Sequence, residues 1–553
     1  MYNDQQYHDP YKNNQGPPPH HHQQQGYAQP YAQPYAQPYA QPYGQPQYAA
    51  QPVQHFGGSA NVQDVTPIKP ESAPPTGCRD MPFAVVFLLN VAAIVGLMVV
   101  WGFDSLKNDS TTTSSSSSSD LISARDAKVT LGVALGMSVL AVVLALLSVK
   151  LIVAYARCMI NFTLWFSVGL SFAVAGLGFY IGSIFLGVFG LIFALLGLCY
   201  ARAVQHRIPF AAANLKVAAA AISKHWSTYL VAILFTIVQI VWVVAWAIAL
   251  LGVANHLRKE DGPSSAGLRN EGERCFSNSD CASSSCRNNR CYGGATFYKD
   301  SAVNYVIYFF MLVSFYWGLQ VFKNVSHTTI AGTVATFWYN AESAGATGSS
   351  LKRSMTTSFG SICFGSLLVA IVQALRELAN QAREEGSFLG CIAECLLGCL
   401  QAILEYINRW AFVYVGIYGY KFTQAGKAVF DLFHNRGFDA IINDDLIGNV
   451  LSFAALGVGL ICAGVGVAFA HFTDEVSYSN SMLFLGILGF IVGVGVAVTP
   501  LSVIDSSVAT IFVCFAEDPV AFQQSHPDLY QPLVTEWHNL YPEIMVQAGY
   551  WQA

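Results

Sequence analysis

The stretch Pro82–Phe103, PFAVVFLLNVAAIVGLMVVWGF, decides how the rest of the chain is read. It carries no charge, and Asn90 is its one polar side chain apart from the indole of Trp101. A helix on the surface of a soluble domain would show a polar face, and this stretch has none. At ~20 residues it is long enough to cross the hydrocarbon of a bilayer. Nine further stretches read the same way, at 129–149, 160–180, 182–201, 229–252, 302–322, 357–378, 401–422, 449–471 and 482–504. The composition agrees. Of 553 residues, 53% are hydrophobic and only 11% charged, against about 25% charged in a soluble domain. The mean hydropathy is +0.41. An ordinary water-soluble enzyme is thereby excluded. The net charge of −5 leaves no electrostatic footprint for nucleic acid. The sequence predicts an all-α polytopic membrane protein of about ten transmembrane helices with a disordered N-terminal tail.

Three regions follow. Residues 1–77 are rich in Tyr, Gln, Pro and His, and Tyr-Ala-Gln-Pro repeats from Tyr27 to Pro42. Such a segment has too few aliphatic groups to offset its ordering entropy, so a disordered, partly polyproline-II tail is expected. Residues 78–515 form the membrane domain, and 516–553 a second tail. The first apolar run begins too late for a signal peptide and serves as span and topology signal together. Short loops at one side hold Lys69 and Arg79, Lys150 and Arg157, Arg202 and Lys216, Lys352 and Arg353, and Lys421 and Lys427. The excess of basic residues there puts both termini in the cytoplasm.

On the opposite side, Asn108-Asp109-Ser110 is a glycosylation sequon beside a serine run. Two other matches, at Asn161 and Asn324, fall at membrane or cytosolic positions and show how weak that motif is. The loop 253–301 holds Cys275, Cys281, Cys286 and Cys291 among Ser, Asn and Gly. It has no core of its own, so two disulfides are expected, in any of three pairings. The remaining nine of thirteen cysteines read as small apolar packers.

Polar groups inside the spans point to function or to helix adhesion. These are Asn90, Gln239, Gln320, Gln373, Arg376, Glu405, Arg409 and Asp505. Glu405 and Arg409 lie four apart on one helix face, as a structural salt bridge or as part of a transport path. Aromatic side chains inside the spans include Trp242, Trp246, Tyr316, Trp317 and Tyr418. Rings around one cavity would attract a quaternary ammonium group. No Walker loop, GxSxG, HExxH or dinucleotide fingerprint is present. No enzymatic activity, cofactor or metal is therefore expected, and any transport is passive or ion-coupled.

Several local runs resemble the choline-transporter-like family. They are Cys78-Arg79-Asp80; Arg207-Ile208-Pro209-Phe210-Ala211 with Leu215-Lys216; Tyr316–Val321 through Asn324–Gly332 to Trp338-Tyr339; Asn408-Arg409-Trp410-Ala411 with Ile417-Tyr418-Gly419; and Phe512–Asp518. Together they cover most of residues 78–520 in order. The tail and the compact first loop are similar to the fungal, pH-nine-sensitive branch. The cysteine loop departs from the family pattern. The resemblance implies a plasma-membrane protein of ten spans and a transporter of choline or a related organic cation, with possible proton exchange. The candidate solute path is then Asn90, Trp242, Trp246, Tyr316, Trp317, Gln320, Glu405, Arg409 and Tyr418. Glu405 is the candidate titrating group, with Arg409 opposing that role by holding it ionised. Membrane lipids are the other expected partners; the oligomeric state is left open. The alternative is a membrane scaffold or stress-related organiser whose tail recruits partners and which transports nothing.

Overall fold

The computed structural model describes residues 77–103, 124–260, 275, 286–287, 290–291, 302–340, 343–384, 386–473, 481–540 and 542. Residues 1–76, Asn108 and Cys281 lie outside them. Among the described residues the fold is helical, and ten helices are long and apolar enough to cross a membrane.

The helices follow in chain order: α1 (Met81–Leu97), which runs on as a wider π-turn to Gly102, α2 (Ala124–Ala154), α3 (Ala156–Tyr180) and α4 (Ile184–Val204). Next come α5 (Ile208–Lys224), α6 (Ser227–Glu260), α7 (Ala302–Tyr339), α8 (Ala346–Met355) and α9 (Phe359–Glu384). The last five are α10 (Phe388–Tyr418), α11 (Phe422–Phe472), α12 (Ser481–Glu517), α13 (Pro519–Ser525) and α14 (Pro527–Leu540). Their boundaries have local causes. Pro82, Pro209 and Pro519 stand in the first turns of α1, α5 and α13, where no intrahelical N–H is required. Ser387 caps α10 by accepting from the Gly390 amide at 3.2 Å. Gly419, at φ 67°, ends that helix in the left-handed conformation that a side chain disfavours.

Several helices outrun the apolar windows that announce them. The sixth window stops at 322, whereas α7 continues to Tyr339; α12 continues from 504 to Glu517. α10 starts at Phe388, well before 401, and stops before Gly419. The overhangs of α7 and α12 lie at the end of the bundle that also holds Arg79, Arg202, Lys352 and Lys421, here called the basic end, whereas α10 overhangs at the other end, where Gly390 packs on Arg383 of α9. There Asp80, itself left-handed at φ 49°, accepts from Ser361 Oγ at 2.7 Å and from the Phe422 amide at 3.0 Å. Gly360 leaves room for this junction, because a Cβ would stand 2.2 Å from the Arg79 carbonyl. The run Cys78-Arg79-Asp80 thus ties the start of α1 to α9 and α11.

At the same end α5 is packed on several faces: Phe210, Asn214, Leu215 and Ile222 are buried. The chain after residue 516 docks there as well. Phe522 stacks on Trp338 at 4.1 Å, Trp537 packs edge-on against Phe515 at 4.4 Å, and Glu536 pairs with Arg157. At the opposite end, Cys275 and Cys286 form a disulfide. Cys286 and Cys291 also face each other in a short hairpin of β1 (Cys286–Arg287) and β2 (Arg290–Cys291).

Small residues set the closest helix contacts. A Cβ at Gly489 would lie 2.5 Å from the Cys462 carbonyl, and one at Gly493 2.9 Å from Cys462 Cβ, so α11 and α12 touch along glycine. Gly132 and Gly136, spaced the same way, have nothing within 4 Å; the spacing alone does not make a contact.

Candidate solute path

The tryptophans of the candidate path hold helices together. On α6, Trp242 and Trp246 lie four apart and share a face. Trp242 Nε1 donates to the Phe315 carbonyl at 3.2 Å, and its ring fills the space left by Gly318. Trp246 Nε1 donates to the Met311 carbonyl at 2.9 Å. Gln239, on the same helix, donates to the Leu319 carbonyl at 3.2 Å. Trp317, on α7, donates to the Cys363 carbonyl at 3.0 Å and meets Phe87 edge-on at 5.2 Å. Each of these three indole N–H groups has found a carbonyl, as an apolar setting favours. Asn90 Nδ2 is buried and has no hydrogen-bond partner among the described residues.

A second group is polar and crosses three helices. Gln320 on α7 donates to Gln373 Oε1 on α9 at 3.4 Å. Gln373 donates onward to Glu405 Oε1 on α10 at 2.9 Å, and Gln401 donates to the same oxygen at 2.8 Å. Arg376 reaches Gln401 Oε1 at 3.1 Å. Tyr316 stands one turn from Gln320 on α7. The Glu405 carboxylate is thus held by two neutral amides, and its hydrogen bonds draw on no cation directly.

Arg409 does not neutralise it. Although four residues along the same helix, Arg409 turns to α11 and α12, pairing with Asp444 at 2.6 Å and Asp505 at 2.7 Å. His327 of α7 joins this cluster, with Nδ1 2.7 Å from Ser506 Oγ and Nε2 3.0 Å from the Arg409 carbonyl. The expected Glu405–Arg409 pair is replaced because two other carboxylates take the guanidinium, one at each terminal nitrogen. Asp444 carries no recognisable signal in Asn443-Asp444-Asp445, which reads as a polar loop. His327 was visible only inside a family signature. Gln401 lies at the edge of its apolar window.

Tyr418 belongs to a third group, at the basic end. Its hydroxyl lies 3.4 Å from that of Tyr339, and its ring stacks on Tyr420 at 5.2 Å. The candidate path residues therefore fall into separate places rather than one cavity. A cavity of about 300 Å³ opens between the α5–α6 turn and the start of α8, lined by His225, Ser227, Leu230 and Thr347 among others, and by none of the path residues. Nearby, outside the spans, burial and the neighbouring Lys224 hold the imidazoles of His225 and His526 below their ordinary range.

Comparison with known proteins agrees with this architecture. The family described as plasma-membrane choline transporter matches over residues 188–520, more than half of the chain. Protein PNS1 of Gibberella zeae is 34% identical over 64% of this chain and 63% of its own length, so the match spans slightly under two thirds of that relative. Protein PNS1 of Eremothecium gossypii is 28% identical over 88% of this chain and 85% of its own. A CTL-like protein of Dictyostelium discoideum is 28% identical over 70% of this chain and 63% of its own. The chain is a multi-pass membrane protein that belongs to the choline-transporter-like family, on its fungal PNS1 branch.

Proposed function

We propose that the chain carries a small organic cation, choline or a related onium compound, across the plasma membrane as a secondary transporter or facilitator. The observation that carries this reading is Glu405, a carboxylate within a membrane span bonded by amides instead of a cation. A charge placed so in a bilayer is costly unless a mobile partner offsets it. The amides of Gln320, Gln373 and Gln401 keep the carboxylate oriented, and Tyr316 lies beside them on α7. Family membership supports the solute class, since the matched family is described by choline. Glu405 is the carboxylate available for coupling solute to proton, because Arg409 is occupied elsewhere. The clustering of basic residues supports cytoplasmic termini, with the basic end facing the cytosol.

The test is uptake of radiolabelled choline into lipid vesicles holding the purified protein. Wild type is expected to accumulate label above protein-free vesicles, and Glu405→Gln to lose most of that uptake. Wild-type vesicles that take up no more label than empty ones would discard the reading.

A further inference from the structure

The overhanging ends of α7 and α12 and the C-terminal end of α10 meet in a layer that the path through Glu405 does not use. Tyr414 donates its hydroxyl to Glu517 Oε1 at 2.6 Å. Tyr414 and Tyr418 rings lie 6.0 Å apart, Tyr418 stacks on Tyr420 at 5.2 Å, and the Tyr418 and Tyr339 hydroxyls touch at 3.4 Å. Tyr414 is 1% exposed. Among the described residues Glu517 has that single hydroxyl donor and no ion-pair partner, although the adjacent Asp518 adds a second carboxylate. Arg353 of α8 reaches α10 at Gly416, between Tyr414 and Tyr418, and is engaged there with the backbone carbonyl.

Several electron-rich ring faces stand with a carboxylate that, among the described residues, no cation pairs with. A small, strongly hydrated ion such as sodium gains little from ring faces. A large, weakly hydrated onium group gains from both faces and carboxylate. Glu405 lies nine residues before Tyr414 and thirteen before Tyr418 on α10, about 14 to 20 Å away along the axis, so the two positions are separate.

We propose that Tyr339, Tyr414, Tyr418, Tyr420 and Glu517 form a second onium-binding station at the basic end of the transporter, entered when the Tyr339–Tyr418 contact parts. The proposal deepens the reading of the chain as an onium carrier and rests on it. It also assigns the contact between α7 and α10 a role as the gate on that side.

The experiment is equilibrium binding of radiolabelled choline to the purified full-length protein in nanodiscs, with tetramethylammonium as competitor and sodium as control. Glu405→Gln serves as background, so that only the second station is read. In that background binding is expected to persist. Adding Glu517→Gln should weaken it about tenfold, the scale of one desolvated cation–π or charge contact. Adding Tyr418→Leu should do the same, and Tyr418→Phe should restore it, because the ring remains. Melting temperatures accompany each variant; should Glu517→Gln melt early, the Leu and Phe pair decides. Loss of all binding with Glu405→Gln, or equal affinity with and without Glu517, overturns the station. If vesicle uptake by the wild type persists in that case, the transport reading survives the loss. A wild type that neither binds nor takes up onium sinks both.

Discussion

Two polar clusters stand one turn apart on α10 and are built in opposite ways. At Arg409, a guanidinium is shared by Asp444 and Asp505 and braced by His327 through the Arg409 carbonyl, tying α7, α10, α11 and α12 together. At Glu405, a carboxylate is held by the amides of Gln373 and Gln401. The first cluster satisfies its charges from within. The second satisfies its hydrogen bonds without an ion pair, since the neighbouring cation, Arg376, bonds Gln401 and not the carboxylate. Residue type alone does not distinguish them, since both are ionisable groups in an apolar helix. The partners do: charges that meet opposite charges hold a structure, whereas a charge bonded only by amides is available to a mobile ion.

Arg409→Met should produce the largest effect, because it strands two carboxylates beside each other in a mostly buried site. The expected cost is about 3–5 kcal/mol, seen as a clear fall in melting temperature of the purified protein. Adding Asp505→Asn should recover part of it by removing one stranded charge. An Arg409→Met protein that melts like the wild type would break the distinction. Glu405→Gln should do the reverse: choline uptake falls about tenfold or more, equivalent to 1.4 kcal/mol or above, while the melting temperature holds. Gln373→Leu sharpens the same point. It removes one of the two amide donors and should lower uptake several-fold, on the scale of a ~1 kcal/mol hydrogen bond.

The sequence makes the scaffold legible and leaves the partners obscure, for a physical reason. Ten apolar stretches announce ten spans because a bilayer admits little else. The overhangs of α7 and α12 are missed because Thr333, Tyr339 and Glu517 are polar or near-polar residues that a hydropathy window reads as loop. The polar residues Gln320, Gln373, Glu405 and Arg409 stand out by composition, but their pairing depends on crossings between helices far apart in sequence. Glu405 and Arg409, at ideal spacing for a bond within one helix, diverge because Asp444 and Asp505 arrive from α11 and α12. The tryptophans mislead in the other direction. Trp242, Trp246 and Trp317 look like a ligand cage in sequence, yet their N–H groups are committed to carbonyls of neighbouring helices.

The smallest expected effect lies outside both clusters and tests whether stability near neutral pH is set at the basic end. His526 lies 4.0 Å from the Phe337 ring, over which Lys224 also sits at 5.6 Å, and its Nδ1 is 3.1 Å from Ser525 Oγ. Burial first, and Lys224 second, lower its affinity for a proton below the ordinary imidazole value of 6.5. His225, from the turn after α5, is shifted the same way by the same causes. The unfolded chain therefore binds protons that the folded one resists, and stability rises with pH across the window just below that value. Above it, both states hold neutral imidazoles and the contribution is complete; on acidification the folded state must either pay to charge the rings or release them. Melting temperature should thus fall modestly from about pH 7.5 to about pH 5.5, and His526→Gln should flatten part of that slope. The His526 share of the slope belongs to the packing of α13 and α14 on α7, and the slope as a whole should be unaltered by Glu405→Gln; a slope that vanishes with Glu405 instead would recast the amide-held cluster as a determinant of stability.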